Sequence, residues 1–226
     1  MIKFKDVTKK FGDVTALERV SFEIGPKEFI FITGPSGAGK TTVAKLIIRD
    51  FLPSSGVVEI DGTDIVDLPK KQVPTLRKNI GMIFQDLKLL HDRTVFENVA
   101  LTLRVLGKVE EEIEDEVEKV LKLVGLSDRA DFFPAQLAGG ELQRVCIARA
   151  VVGKPEIVFA DEPTGNLDLN TAWQIVRLLK EVNELGKTVI MATHNFEIVN
   201  EMEERVIELD KGKLVSDKKK GKYHLK

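Results

Sequence analysis

The chain has 226 residues, of which 43% are hydrophobic and 31% are charged, a composition typical of a soluble globular domain with a substantial core. Its formal net charge of −2 gives no general reason to expect a nucleic-acid partner. The single cysteine, Cys146, excludes an internal disulfide and a thiolate metal cluster. It fits a reducing cytoplasm, and we interpret it as a small buried hydrophobic side chain.

No segment of the sequence is typical of an export signal or a membrane anchor. Residues 1–6 lack the apolar core of a signal peptide. The longest run without a charged residue, 29–39, contains 11 residues and is too short to cross a bilayer. We therefore expect a cytoplasmic protein whose membrane role, if it has one, comes through a partner.

The first part of the chain predicts β-structure. Residues 2–33 contain apolar residues that alternate with polar ones, as at Val20, Phe22 and Ile24. The apolar run at 29–32 suits a strand that is buried on both faces. Two further short strands are predicted at 56–62 and 79–85.

A glycine-rich segment follows the strand at 29–32 and precedes a predicted helix at 40–49. A strand, a glycine turn and a helix N-terminus form the setting that a phosphate-binding loop requires. The backbone N–H groups and the helix dipole attract phosphate oxygens, Lys40 adds a full positive charge, and the Thr41 hydroxyl is placed for Mg²⁺. The predicted nucleoside-triphosphate site comprises Gly34, Pro35, Ser36, Gly37, Ala38, Gly39, Lys40, Thr41 and Thr42.

Helical periodicity dominates residues 88–152. Between Val109 and Val124 an apolar residue recurs every three or four positions, and acidic residues occupy most of the positions between them. We interpret the acidic run as a solvated helix face, with a basic partner as the alternative. Strands alternate with helices after residue 156, which predicts a mostly parallel sheet covered on both faces.

Asp161 and Glu162 come directly after the apolar strand predicted at 157–160. Ligands of open α/β sheets bind at the carboxyl ends of the strands, so Asp161 is predicted to reach Mg²⁺. Glu162, one residue further on, is predicted to polarise an attacking water as general base. An acidic pair at this position could also form only a turn or a helix cap, and the phosphate-binding loop favours the catalytic interpretation.

Two other strands end in polar side chains at the same predicted edge. His194 follows the strand at 189–193 and is predicted to contact the γ-phosphate or to hold the attacking water. Gln85 ends the strand at 79–85, where its amide can ligate Mg²⁺ and contact water. Each residue alone would be interpreted as a surface or packing residue.

A second candidate anion site lies at residues 137–141, where Gly139 and Gly140 precede a predicted helix at 142–151. An ordinary glycine-rich turn is the alternative. The predicted helical insert separates this site from the phosphate-binding loop, so we expect it to serve a nucleotide bound to another copy of the chain.

These motifs, in this order, resemble the ABC-type ATPases, and the resemblance covers nearly the whole chain. The matching segments are the phosphate loop at 34–42, the glutamine at Gln85, the signature at 137–141, the acidic pair at 161–162, the loop at 165–168 and the histidine at His194. The resemblance implies an α/β P-loop NTPase of the ABC ATPase type. Its mostly parallel sheet core would carry an antiparallel β subdomain, about 1–28 and 55–68, and an inserted α-helical subdomain, about 88–152.

The resemblance also implies a head-to-tail homodimer that holds two ATP molecules with Mg²⁺. Asp168 would belong to the dimer-contacting loop. Phe11 stands where the family stacks an aromatic ring on adenine, with simple strand packing as the alternative. Ala138 departs from the family, whose signature carries a serine there. The serine hydroxyl of the family would bind the γ-phosphate across the dimer, and Ala138 lacks it. We therefore expect weaker or slower ATP-driven dimerisation, with Gly139 and Gly140 still binding the phosphate.

Within the family, the segments at 82–100, 139–141 and 160–168 are similar to the FtsE cell-division type. This resemblance implies an integral membrane partner resembling FtsX and control of cell-wall hydrolases at division. The alternatives are an ATPase of a lipoprotein-release or macrolide exporter, and a nucleotide-gated scaffold with little turnover. The lysine-rich tail at 218–226 is predicted to be solvated, with a weak contact to anionic lipid as the alternative.

Overall fold

Two β-sheets organise the fold, and the computed structural model describes them within residues 1–221. The larger sheet has six strands in the spatial order β10-β9-β3-β8-β7-β6. β9, β3, β8, β7 and β6 run parallel to one another, and β10 pairs antiparallel with β9. In chain order these strands are β3 (Phe29–Thr33), β6 (Ile80–Ile83), β7 (Ile157–Asp161), β8 (Thr188–Thr193), β9 (Arg205–Asp210) and β10 (Lys213–Lys218).

The smaller sheet has four antiparallel strands in the order β2-β1-β4-β5. Its strands are β1 (Ile2–Phe11), β2 (Val14–Ile24), β4 (Ser55–Ile60) and β5 (Thr63–Asp64). Their inward residues, such as Phe4 and Phe22, whose rings stack at 4.5 Å, pack on one face of the parallel sheet.

The parallel strands are buried on both faces because each face contacts a different apolar layer. Along β3, Phe29 and Phe31 pack towards the helices that follow β6, whereas Ile30 and Ile32 pack towards the smaller sheet and the first helix. A strand in this position needs a continuous apolar run, which is the pattern of residues 29–32.

Seven α-helices cover the sheets in the described residues. They are α1 (Lys40–Ile47), α2 (Val73–Lys78), α3 (Val95–Val105), α4 (Glu110–Leu123), α5 (Gly139–Val151), α6 (Leu169–Glu184) and α7 (Phe196–Met202). α3, α4 and α5 form a helical segment whose apolar residues contact one face of the parallel sheet. Short 3₁₀ turns lie at Lys70–Gln72, Ser127–Arg129 and Pro134–Gln136.

Local sequence signals explain where several helices begin. Thr94 caps α3 and forms a reciprocal capping box with Glu97, the backbone N–H of Glu97 donating to the Thr94 hydroxyl and that of Thr94 to the Glu97 carboxylate. Asp168 caps α6 by accepting from the backbone N–H of Thr171 at 3.0 Å. On α4, the acidic residues 110–112 lie in the first turn, where the helix dipole favours negative charge.

The predicted α/β fold is confirmed, with helices beside a largely parallel sheet and a second, antiparallel sheet. α2 and the edge strand β10 were not predicted from the sequence. α5 begins at Gly139 instead of after the glycines, because Ala138 is its N-cap residue. The subdomain boundaries stay a prediction.

Candidate nucleotide-binding site

The phosphate-binding loop connects β3 to α1, and glycine is required at three of its positions. Gly34, Gly37 and Gly39 have φ angles of 147°, 78° and 107°, which residues with a side chain rarely adopt. A Cβ at Gly34 would also lie 2.2 Å from the Leu209 carbonyl oxygen, and one at Gly39 would lie 2.6 Å from Leu17 Cδ2. The loop is therefore held tightly against β9 and β2. The other predicted residues of the loop lie in or beside this turn. Pro35 and Ser36 are exposed, Ala38 is buried and Thr42 is half-buried.

Lys40 begins α1 and turns its side chain back into the loop. Its ammonium group donates to the carbonyl oxygens of Gly34 at 2.7 Å and Pro35 at 3.2 Å. The same group lies 3.2 Å from Oε1 of Glu162, and the lysine side chain is only 7% exposed. A buried cation is thus held at the centre of the loop, where a phosphate would bind.

Glu162 lies between Lys40 and His194 at the carboxyl end of β7. Nδ1 of His194 is 3.0 Å from both carboxylate oxygens of Glu162. The backbone of Glu162 has φ 49°, a left-handed conformation that is uncommon for a residue with a side chain. Its carboxylate is 10% exposed, whereas the His194 side chain is 60% exposed. The sequence placed His194 and Glu162 at one edge of the sheet, but their direct contact is a result of the structure.

Asp161 is the last residue of β7 and is buried. Burial raises the pKa of its carboxyl group. The nearby Thr41 hydroxyl and Lys40 ammonium lower this pKa, whereas the Glu162 carboxylate raises it further. Oδ1 of Asp161 is buried and has no hydrogen-bond partner within residues 1–221. An unpartnered buried carboxylate oxygen beside a hydroxyl is a fitting ligand pair for a hard cation.

Gln85 lies two residues beyond the end of β6 and is exposed. It shares an open cavity of about 830 Å³ with Thr41 and Asp161, so the structure brings the three predicted metal-binding residues to one place. Lys45 and Asn166 also line this cavity. Lys45 was not predicted as a site residue, although its spacing of four from Thr41 places both on the same face of α1.

Phe11 is the last residue of β1, and its side chain is 42% exposed. One edge of the ring packs on Phe51 at 4.9 Å between centroids, and the Lys9 ammonium lies 4.8 Å from its centroid. The ring is only partly used in packing, which leaves surface for a planar ligand.

The signature residues Ala138, Gly139 and Gly140 lie at the start of α5, outside the lining of the cavity that holds Gln85. A Cβ at Gly140 would lie 2.4 Å from Cγ2 of Thr171, so the signature packs closely on the first turn of α6. Asp168, the cap of α6, also hydrogen-bonds the Thr171 hydroxyl. The structure therefore joins the signature to the loop at 165–168 through Thr171, a contact that the sequence did not predict.

The chain matches the family model described as ABC transporter over residues 17–165. It is 48% identical to the cell division ATP-binding protein FtsE of Bacillus subtilis (strain 168), covering 99% of this chain and 98% of that protein. It is also 48% identical to the protein of the same name in Escherichia coli (strain K12), covering 95% of this chain and 97% of that protein.

A solved structure supports the same assignment. An ATP-binding cassette, described as dimeric and in a post-hydrolysis state bound to ADP and Pi, superimposes with a TM-score of 0.89 and 37% identity. The superposition covers 99% of this chain and 100% of that one. No helix among residues 1–221 is both long and apolar enough to span a lipid bilayer. The chain therefore belongs to the ABC transporter ATPase family and, within it, is similar over nearly its full length to the cell-division ATP-binding proteins named FtsE.

Proposed function

We propose that the chain is the ATP-hydrolysing subunit of an FtsEX-like membrane complex, in which ATP-driven dimerisation and hydrolysis control cell-wall hydrolysis during cell division. The family and the FtsE relatives support ATP hydrolysis and the cell-division role. The observation that carries the chemistry is the placement of the Glu162 carboxylate between Lys40 and His194, directly beside the phosphate-binding loop.

In this proposal Glu162 is the general base. Its carboxylate accepts a proton from the attacking water, and His194, which contacts both carboxylate oxygens, orients it and contacts the γ-phosphate. Lys40 and the loop N–H groups bind the phosphates and stabilise the charge that develops on the transferred group. Phe11 stacks on the adenine ring.

Thr41, Gln85 and Asp161 would hold Mg²⁺. Their oxygen atoms are the ligands that this ion prefers, and Asp161 Oδ1 is buried without a partner. Within the described residues no cluster of three or more His, Cys, Asp or Glu side chains could hold a metal alone. This fits an ion that shares its coordination with substrate phosphates, whose negative charge it would compensate.

The active form would be a homodimer in which Ala138, Gly139 and Gly140 of one copy contact the nucleotide of the other, and Asp168 lies at the dimer contact. A related cassette was solved as a dimer. The two glycines lie in the first turn of α5, where free backbone N–H groups and the helix dipole favour an anion.

The membrane partner would resemble FtsX and dock on a groove between the core sheet and the helical segment. This groove of about 520 Å³ is lined by apolar side chains, among them Met82, Phe84, Leu101 and Val105, and by the basic residues Arg77, Lys78, Lys88 and Arg149. Leu101 and Val105 are 40% and 69% exposed, an unusual exposure for aliphatic residues on neighbouring turns of one helix. Leu90 is exposed on the loop that connects Gln85 to α3, the helix that carries Leu101 and Val105.

The loop before α3 is tied to that helix by the side chain of one buried residue. Buried Asn98 accepts from the backbone N–H of Leu90 and donates to the carbonyl oxygens of Leu90, Arg93 and Thr94. The chain would thus be cytoplasmic and bound to the membrane through its partner. A weak contact of the basic C-terminal tail with anionic lipid stays a prediction, since residues 222–226 lie outside the described residues.

Glu162→Gln tests the chemistry. It keeps the size of the side chain and removes its basicity, so we expect phosphate release to fall at least about 100-fold while ATP binding is kept. Equal phosphate release by the wild-type chain and Glu162→Gln would instead favour the nucleotide-gated scaffold.

A cross-link tests the partner. Cys146 is buried, so Leu90→Cys would provide the accessible thiol for a cross-linker, and Val215→Cys on β10 is the matched control. We expect Leu90→Cys alone to capture an FtsX-like membrane protein in cells. Capture of an exporter subunit at Leu90→Cys would favour the lipoprotein-release or macrolide-exporter alternative.

A further inference from the structure

Arg149, near the end of α5, reaches the segment that follows Gln85. Nη1 donates to the carbonyl oxygen of Lys88 at 2.6 Å, and Nη2 donates to that of Leu87 at 2.7 Å. The Cys146 thiol, one turn earlier on the same helix, is 3.4 Å from the Leu87 oxygen. One helix therefore binds two successive peptide groups of the loop by their carbonyl oxygens.

The two residues that Arg149 holds have an unfavourable backbone. Leu87 and Lys88 have φ angles of 56° and 50°, in the left-handed region. This region is unfavourable for residues other than glycine, so two such residues in succession persist only where neighbouring groups impose the conformation. The guanidinium group supplies this constraint from outside the loop.

Arg149 serves no ion pair in the described part of the chain. Within residues 1–221 its guanidinium forms no salt bridge with a carboxylate, and Nη1 and Nη2 donate to backbone carbonyl oxygens. Burial lowers the pKa of its guanidinium. A partly buried cation that lacks a carboxylate is expensive to retain, and its hydrogen bonds here all go to the loop backbone.

α5 connects this contact to the signature. Gly140 and Arg149 are nine positions apart on one helix, which corresponds to about 14 Å along its axis. At the other end of the contact, Leu87 is two residues from Gln85, which lines the cavity with Thr41 and Asp161. α5 therefore joins the signature at its first turn to the backbone two and three residues beyond Gln85.

We infer that Arg149 is a positioning residue for hydrolysis, which holds the Leu87–Lys88 backbone in its left-handed form and so fixes Gln85 relative to the signature helix. This inference rests on the proposed function. Arg149 does not line the cavity that Gln85 shares with Thr41 and Asp161, so it would act through Gln85. A lysine is not equivalent here, because its single ammonium nitrogen lacks the planar fork with which Nη1 and Nη2 of Arg149 each reach a different carbonyl oxygen.

A double-mutant cycle with the full-length chain tests this. We expect Arg149→Lys to lower kcat of ATP hydrolysis about tenfold, with ATP affinity changed less than about twofold. In the Gln85→Ala background the same substitution should change kcat less than about twofold, because the residue through which it acts is gone. Arg104→Lys, at an exposed ion pair with Glu110, is the matched control and should leave kcat unchanged.

A second pair of variants separates the backbone effect from a packing effect. Lys88 is exposed, so its replacement leaves the core intact. Lys88→Val and Lys88→Asn both remove the ammonium group, but asparagine tolerates the left-handed conformation and the β-branched valine does not. We expect kcat of Lys88→Val to be about fivefold below that of Lys88→Asn.

The inference would be overturned if Arg149→Lys lowered kcat equally in the wild-type and the Gln85→Ala backgrounds. Equal kcat of Lys88→Val and Lys88→Asn would overturn it as well. Hydrogen exchange of the backbone amides of residues 85–88 tests the positioning role without any turnover. We expect faster exchange in Arg149→Lys than in Arg104→Lys, and equal exchange in the two variants would contradict the positioning role. Failure of the proposed function has a different signature, since wild-type phosphate release would then not exceed that of Glu162→Gln.

Discussion

The ammonium group of Lys40 lies 3.2 Å from Oε1 of Glu162, so the predicted phosphate-binding cation and the predicted base form a buried ion pair. The same ammonium also contacts two carbonyl oxygens of its own loop. Phosphate oxygens that bind Lys40 would replace these contacts. Glu162 would then keep His194 as its partner and be free to accept a hydrogen bond from water, which couples nucleotide binding to activation of the base.

Lys40→Ala tests the first half of this exchange. Loss of a charge-assisted contact costs about 1.5–3 kcal/mol, so we expect the Kd for ATP to rise about 10–150-fold. Titration with a fluorescent ATP analogue measures it. Lys119→Ala, an exposed lysine of α4, is the control and should bind normally. Unchanged affinity in Lys40→Ala would show that the loop binds phosphate without this cation.

Asp161→Asn should separate stability from activity. The wild-type carboxyl group is buried near the Glu162 carboxylate, and burial raises its pKa, so asparagine would remove an unfavourable buried charge. We expect the variant to gain stability on the order of 1 kcal/mol without Mg²⁺ and to lose Mg²⁺-dependent phosphate release. Urea unfolding and a phosphate assay measure the two effects, with exposed Asp131→Asn as the control. A less stable Asp161→Asn would contradict the prediction.

Gly140→Ala should disturb the contact between the signature and α6. Its Cβ would overlap Cγ2 of Thr171 at 2.4 Å, and such overpacking typically costs about 1–3 kcal/mol. Adding Thr171→Ser removes that methyl group and should restore most of the stability. In the matched control Gly139→Ala the new Cβ would lie at an ordinary 3.5 Å from Leu167 Cδ2, so its Tm should not fall. A similar Tm for both alanine variants would show that Thr171 moves aside.

Ala138→Ser restores the hydroxyl that the family signature usually carries. Glu141 already accepts from the Ala138 N–H at 2.9 Å, and a serine hydroxyl could complete the capping box, adding about 0.5–2 kcal/mol of stability. We also expect stronger ATP-dependent dimerisation and faster turnover. Thermal unfolding, light scattering and phosphate release measure these effects. If turnover and dimerisation both stay at the wild-type level, the serine hydroxyl plays no part in binding ATP across the dimer.

The Cys146 thiol should be unreactive in the native chain. Burial raises the pKa of this thiol from 9.0 to about 11. At pH 8 the thiolate fraction is therefore about a hundredfold lower in the folded than in the unfolded chain. Because the folded pKa is the higher one, the thiol's contribution to stability is complete below pH 9 and is lost as the pH rises through 11. Iodoacetamide labelling at pH 8 with and without urea measures the difference, and rapid labelling of the folded chain would contradict it.

Much of the fold could be predicted because its signals are local. The apolar run at 29–32 indicates a strand buried on both faces, and the glycines at Gly34, Gly37 and Gly39 indicate a turn that residues with a side chain rarely adopt. The carboxyl ends of parallel strands meet at one edge, which already placed Asp161, Gln85 and His194 together. β10 was missed because its half-exposed residues carry little apolar periodicity.

The sequence by itself determined the fold class and the ATPase family of this protein. Its glycine loop and its residues at strand ends depend on backbone geometry that a few neighbouring positions specify. Only the tertiary structure decided which side chains contact one another: Lys40 with Glu162, Gly140 with Thr171, and Arg149 with the carbonyls of Leu87 and Lys88. Each of these contacts joins residues far apart in the chain. Their geometry depends on how whole helices pack on the sheet, to within a few tenths of an ångström, and no local pattern encodes that packing.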